Sequence, residues 1–175
     1  MNKSVQYTKY YIPSTSDRGY TLIEILVGLT IVGILFSFGY VSFRDFSRRE
    51  ALSGTSKKVQ GDLRLAQSMA LAGQKPEPPN DAPCTDDRLI GYNFKVYATN
   101  EYKIEAVCGA TAVTVKDVVF SGDVLISSPS PNPIIFKVLG NGTNIVAGAE
   151  TTLTLTQTGT NSTATITITA GGEIK

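Results

Sequence analysis

Three groups of residues in this sequence have the types and spacing to do chemistry. Glu24 is the only charged residue between Tyr20 and Phe43, a stretch otherwise made of apolar, small and hydroxyl side chains. An ionised carboxylate costs ~2.5–3.5 kcal/mol at the centre of a bilayer, so an acid in such surroundings is by default a functional group in need of a partner. Cys84 and Cys108 stand too far apart for a Cys-x-x-Cys redox or zinc motif. A structural disulfide between them is the favoured reading. It would contribute roughly 3.5 kcal/mol by the chain-entropy estimate and would require an oxidising compartment; two buried free thiols are the alternative. Asp81, Asp86 and Asp87 share one loop, but their spacing matches no EF-hand, and an exposed acidic turn accounts for them. Histidine is absent, which removes the usual imidazole base and metal ligand. With no Gly-x-Ser-x-Gly and no phosphate-binding loop either, the sequence offers no catalytic residue, no cofactor-binding residue and no metal ligand set, and it reads as a non-enzyme.

The elements that must position these groups follow from composition and periodicity. The chain has 175 residues, a net charge of +1, 42% hydrophobic and 18% charged residues. A near-neutral body has no general attraction to nucleic acid or anionic lipid. The averages conceal a change of character, because apolar residues run together from Tyr20 and later alternate with Thr, Ser and Lys. Tyr20 to Phe43 would make about 36 Å of helix, enough to cross a ~30 Å hydrocarbon core. The competing signal peptide would have a shorter apolar region and a small-x-small cleavage site, and neither is present. Arg44, Arg48 and Arg49 follow the span almost at once, so the positive-inside rule orients it only weakly. Orientation rests instead on the cysteines and the long polar remainder, which place the C-terminal part outside the cytoplasm.

Beyond Phe43, Leu52, Val59, Leu63, Ala66 and Ala70 are spaced as one face of an amphipathic helix. The helix is therefore predicted to continue to about Ala72. Gly73 is its expected cap, and Pro76, Pro78 and Pro79 prevent it going further. After a loop, Ile90, Tyr92, Phe94 and Val96 alternate, as do Tyr102, Ile104 and Ala106. "TAVTVKDVVF", "PIIFKVLG", "TTLTLTQT" and "TATITIT" follow between turn residues. Six or seven antiparallel strands are predicted, with Leu153, Leu155, Ile166 and Ile168 facing the helix and the threonines facing water or other subunits. The fold class is α+β: a long N-terminal helix, transmembrane in its first half, packed on an antiparallel β-sheet domain. The sequons at Asn141 and Asn161 fall in predicted turns, and the turns explain them.

Glu24 itself has two readings. It lies about 6 Å along the helix from Tyr20, near enough to the interface to reach the headgroups. A cut between Gly19 and Tyr20 would instead create an α-amino cation at the helix start, and Glu24 of a neighbouring copy would be its counter-ion in a dry bundle.

The stretch Arg18-Gly19-Tyr20-Thr21-Leu22-Ile23-Glu24-Ile25-Leu26-Val27 resembles the class III signal of type IV prepilins and type II secretion pseudopilins. The resemblance implies a leader over residues 1–19, cut by a prepilin peptidase after Gly19, and methylation of the new terminus at Tyr20. It makes Glu24 the acid that supports filament assembly. Tyr20 replaces the commoner Phe, and Val41 stands where many major pilins carry a kinking Pro. The implied organisation is a transmembrane and assembly helix over 20–43, its amphipathic continuation over 44–72 and a periplasmic β-rich domain over 73–175. The implied partners are the peptidase, other pilin or pseudopilin subunits, an inner-membrane assembly platform and, before assembly, membrane lipid. The implied location is the bacterial inner membrane, N-terminus cytoplasmic, and then a pilus or pseudopilus. The arrangement closing on "ITITAGGEIK" is similar to minor pilins of the GspH and FimT type. The alternative function is a filament-tip module for DNA uptake or adhesion, for which Lys95, Tyr97, Tyr102 and Lys103 are the nearest candidates. Some FimT-like chains bind DNA through a basic tail; here only Lys175 is basic there, and that activity is not carried over.

Overall fold

Thr21 opens the first element. Its hydroxyl accepts the backbone N–H of Glu24 at 3.3 Å, which satisfies one of the free donors at a helix start. Helix α1 then runs Leu22–Ala72. Gly73 ends it at φ +60. Its N–H donates to the Ala70 carbonyl and that of Gln74 to the Met69 carbonyl, both at 3.1 Å, the paired bonds of a Schellman cap. The computed structural model describes residues 19–76, 84, 88–120 and 122–175, with backbone alone at 38–42. Most of the expected leader and the acids Asp81, Asp86 and Asp87 lie outside the described residues.

The chain divides into two units, residues 1–41 and 42–175. In the first, the described helix exposes its large side chains all round: Leu22, Ile23, Leu26, Leu29, Leu35 and Phe36 among them. Among the described residues no helix is long and apolar enough to cross a membrane. The side chains at 38–42 of the span expected from Tyr20 to Phe43 lie outside the described residues.

In the second unit seven strands form two antiparallel sheets. Strands β1 (Leu89–Ala98), β2 (Glu101–Cys108), β3 (Thr111–Val119) and β5 (Ile134–Lys137) make one, in the order β3-β2-β1-β5. Strands β4 (Val124–Ile126), β6 (Glu150–Gln157) and β7 (Ser162–Thr169) make the other, in the order β4-β6-β7. Pro129, Pro131 and Pro133 lie between β4 and β5, which belong to different sheets, and prolines cannot donate to a ladder. One core joins everything. Leu52, Val59, Leu63, Ala66 and Ala70 of the helix are buried against Phe94, Tyr102 and Ile104 of the first sheet and Leu153, Leu155, Ile166 and Ile168 of the second. The outward face of the second sheet pairs Thr152 with Thr167, Thr154 with Thr165 and Thr156 with Thr163.

The β1 alternation needs one correction. Ile90 points outward, 46% exposed, and Leu89 is buried instead. A register shift between Leu89 and Gly91 reverses the parity of the strand's first residue. Gly91 is required where it stands, because a Cβ there would overlap the Phe136 carbonyl of the neighbouring β5.

Candidate functional site

The helix start is the first candidate. Gly19 and Tyr20 precede α1, both exposed, with Tyr20 at 78%. Glu24 occupies the third position of the first turn, exposed, and its carboxylate makes no ion pair among the described residues. Thr21-x-x-Glu24 is also the spacing of a capping box, a signal that the apolar context overshadows in the sequence. Glu24 is thus favourably placed for the helix dipole, a role independent of any partner subunit. The surrounding aliphatics have no cover within their own unit. Each such side chain left in water forgoes roughly 1.5–3 kcal/mol of burial.

The two cysteines are joined. Cys84 and Cys108 form a disulfide with a Cα–Cα distance of 5.1 Å, both residues buried. It fastens the chain after the helix to the end of β2.

The four residues suggested for a tip-binding patch separate into two environments. Lys95, Tyr97 and Lys103 meet on the outer face of the first sheet, the two ammonium groups 4.4 and 5.0 Å from the centre of the Tyr97 ring. Lys103 is clamped between Glu101 at 3.2 Å and Asp117 at 2.9 Å. Those carboxylates, Asp117 first, raise its pKa. The Tyr97 hydroxyl donates to Glu105 at 2.6 Å. Three acids thus accompany two bases, and the face is not a cationic surface for phosphates.

Tyr102 lies on the opposite side of the strand, fully buried. Its ring stacks on Phe94 at 4.8 Å. Its hydroxyl donates to Asp62 Oδ2 at 2.6 Å, and Lys116 Nζ donates to Asp62 Oδ1 at the same distance. Burial, then the hydrogen bond and charge of Asp62, push the phenol pKa far up. The sequence reading missed Asp62. Its signal is a carboxylate directly before Leu63 on the side of the helix that becomes buried. Lys116 reaches inward beside a bulge in β3: Ile104 pairs with Lys116 and Glu105 with Thr114, leaving Val115 out of register. An inward charge and a bulge on an edge strand both discourage strand-to-strand aggregation.

Asn141 and Asn161 occupy turns. Asn141 Nδ2 donates to the Val138 carbonyl at 3.0 Å, and Asn161 adopts a φ of +51. No group of three or more Cys, Asp or Glu is arranged to hold a metal among the described residues.

With this geometry in place, residues 14–40 fit the family described as the prokaryotic N-terminal methylation motif. No curated protein and no solved structure matches the chain. The motif covers the expected cleavage position at Gly19 and Tyr20, the first turn of α1 and most of the exposed apolar segment. It indicates a type IV pilin-like subunit processed as a prepilin.

Proposed function

We propose that this chain is a structural subunit of a type IV pilus or a type II secretion pseudopilus. A prepilin peptidase cuts between Gly19 and Tyr20, the new Tyr20 amino group is methylated, and the subunit assembles through the stretch from Tyr20 to Phe43. The observation that carries this reading is a coincidence of position. The methylation motif falls on a capped helix start followed by aliphatic side chains that nothing in their own unit covers.

Before assembly those side chains lie in the inner membrane, and afterwards in a bundle of identical or related helices, where Glu24 meets the Tyr20 amino group of a neighbour. The membrane location rests on the sequence run from Tyr20 to Phe43. The Cys84–Cys108 disulfide supports a periplasmic second unit, since such bonds persist in oxidising compartments. A minor, GspH or FimT-like subunit is the finer assignment. Its support is the chain's closing hairpin, in which Ile168 bridges Ile174 and Thr169 accepts the turn from Gly172. No observation favours the tip-binding alternative, because the charges on the Tyr97 face are compensated.

Intact mass and N-terminal sequencing of the protein recovered from membranes of cells with a prepilin peptidase test the proposal. A chain beginning at Tyr20 with one added methyl group is expected. A chain still beginning at Met1 when the peptidase is present would overturn it.

A further inference from the structure

The second unit carries a charge pattern that its own fold does not use. Lys57, Lys58 and Arg64 are exposed on α1, on the side away from the buried stripe of Val59, Leu63 and Ala66. None of the three makes an ion pair among the described residues, whose salt bridges all involve Lys103, Lys116 or Lys175. The one acid within reach along the helix, Asp62, is turned inward and held by Tyr102 and Lys116. Helical neighbours at three or four residues normally supply the counter-ion, and here they do not. Gly61 stands between these cations, and space above it is open.

The rest of the unit has the opposite balance: residues 73–175 carry ten acids against seven bases. Two of the acids are placed together by register. Glu150 pairs with Thr169 across β6 and β7, and Thr169 in turn receives Glu173 on its other side, its N–H donating to the Glu173 carbonyl at 3.0 Å. Residues directly opposite one another in antiparallel strands share a face, so Glu150 and Glu173 flank Thr169 on one surface, roughly 10 Å apart across two strand spacings. Both are exposed. Among the described residues the Glu173 carboxylate pairs with Lys175 alone, at 3.4 Å, a contact between two exposed side chains of small energetic consequence. Along α1, Lys57 and Arg64 are also roughly 10 Å apart.

We propose that the helix face bearing Lys57, Lys58 and Arg64 docks on a second copy of this chain, at the end of its three-stranded sheet where Glu150 and Glu173 stand on either side of Thr169. The inference rests on the filament reading above and adds the contact between second units. The two surfaces differ, so the contact is head-to-tail, and a head-to-tail contact that does not close on itself propagates as a helical filament. A chain near neutrality overall, with unpaired cations on one face and exposed acids on another, favours such pairing over face-to-face dimers. Like charges brought together oppose the wrong register.

Charge exchange in cells that assemble the filament tests the contact. Lys57→Glu with Arg64→Glu, and separately Glu150→Lys with Glu173→Lys, are each expected to lower the chain's recovery in sheared filaments by about tenfold or more, given the cost of opposed like charges. Combining all four is expected to restore recovery to near that of the wild type, which also shows that each pair of substitutions left the fold intact. Unchanged recovery of both reversed variants, or a combined variant as poor as either parent, would overturn the contact. If the full-length chain in detergent shifts a DNA duplex at low salt and the Lys57→Glu, Arg64→Glu variant does not, the face belongs to nucleic acid and the proposal of a second copy fails. Mass analysis of the same preparations separates the two levels: failure to begin at a methylated Tyr20 strikes the filament reading itself, whereas correct processing with wild-type recovery strikes only the docking contact.

Discussion

Two of the four carboxylates on helix α1, Asp62 and Glu24, have opposite fates. Asp62 is 6% exposed and its two oxygens accept from Tyr102 and Lys116, each at 2.6 Å. Glu24 is exposed and has no ion pair among the described residues. The difference follows what surrounds them. Around Asp62 the sheets bring two donors and a cover of apolar side chains, so the acid is satisfied within the chain. Around Glu24 the side chains are equally apolar but nothing in their unit covers them. One acid is satisfied by folding; the other has no ion pair among the described residues, and under the proposed function its counter-ion is the Tyr20 amino group of a neighbouring subunit.

The sharpest way to break this comparison is to remove each acid and read both folding and assembly. Glu24→Ala is expected to leave the thermal stability of the second unit unchanged and to lower recovery in purified filaments by about 100-fold, the scale of leaving a buried partner charge uncompensated. Glu24→Gln is the control, because glutamine keeps the capping-box spacing with Thr21 and loses only the charge. Normal incorporation of the Gln variant would reduce Glu24 to a helix cap. Asp62→Ala should do the reverse. It strands a buried phenol and the Lys116 ammonium, and a loss of about 2 kcal/mol in denaturant unfolding is expected, below the value for a fully buried pair because Lys116 is partly exposed. A stability unchanged by this substitution would show that the network contributes nothing.

The smallest effect concerns Tyr102. Tyr102→Phe removes one hydrogen bond to a charged acceptor and is expected to cost about 1.5 kcal/mol at neutral pH. The pH dependence sharpens it. The folded chain holds the phenol protonated where the unfolded chain has lost that proton, so the stabilisation is complete below the ordinary value of 10.0 and declines as pH rises above it. The wild type should therefore lose stability above pH 10 more steeply than the Phe variant. Tyr92, whose pKa is also raised by burial, remains in both and keeps the variant's profile from being flat. Parallel profiles would dissociate the phenol from the alkaline loss.

Much of this was legible in the residues themselves. The buried stripe Leu52, Val59, Leu63, Ala66 and Ala70 follows from helical periodicity. The cap at Gly73 follows from the only residue there that adopts a left-handed conformation freely. The inward Leu153, Leu155, Ile166 and Ile168 follow from strict alternation. What escaped was non-local. Ile90 reads as inward until a register shift reverses it, and that shift depends on the partner strand β2. Tyr102 and Lys103 are adjacent in sequence and seemed to belong to one surface. The pleat sends one into the core and the other to the Tyr97 face. Asp62 received no reading, because its partners Tyr102 and Lys116 are remote in sequence.

The sequence by itself determined where the helix begins and ends, which strands alternate, and the short motif around Gly19, Tyr20 and Glu24. Each depends on neighbours within a few positions, where backbone conformation, capping and periodicity act. Only the tertiary structure decided that the strands divide into two sheets, that Asp62, Tyr102 and Lys116 form one network, and that Glu150 and Glu173 face the same way. Those outcomes depend on which distant segments pair, and pairing is fixed by the burial of a shared core rather than by any local preference.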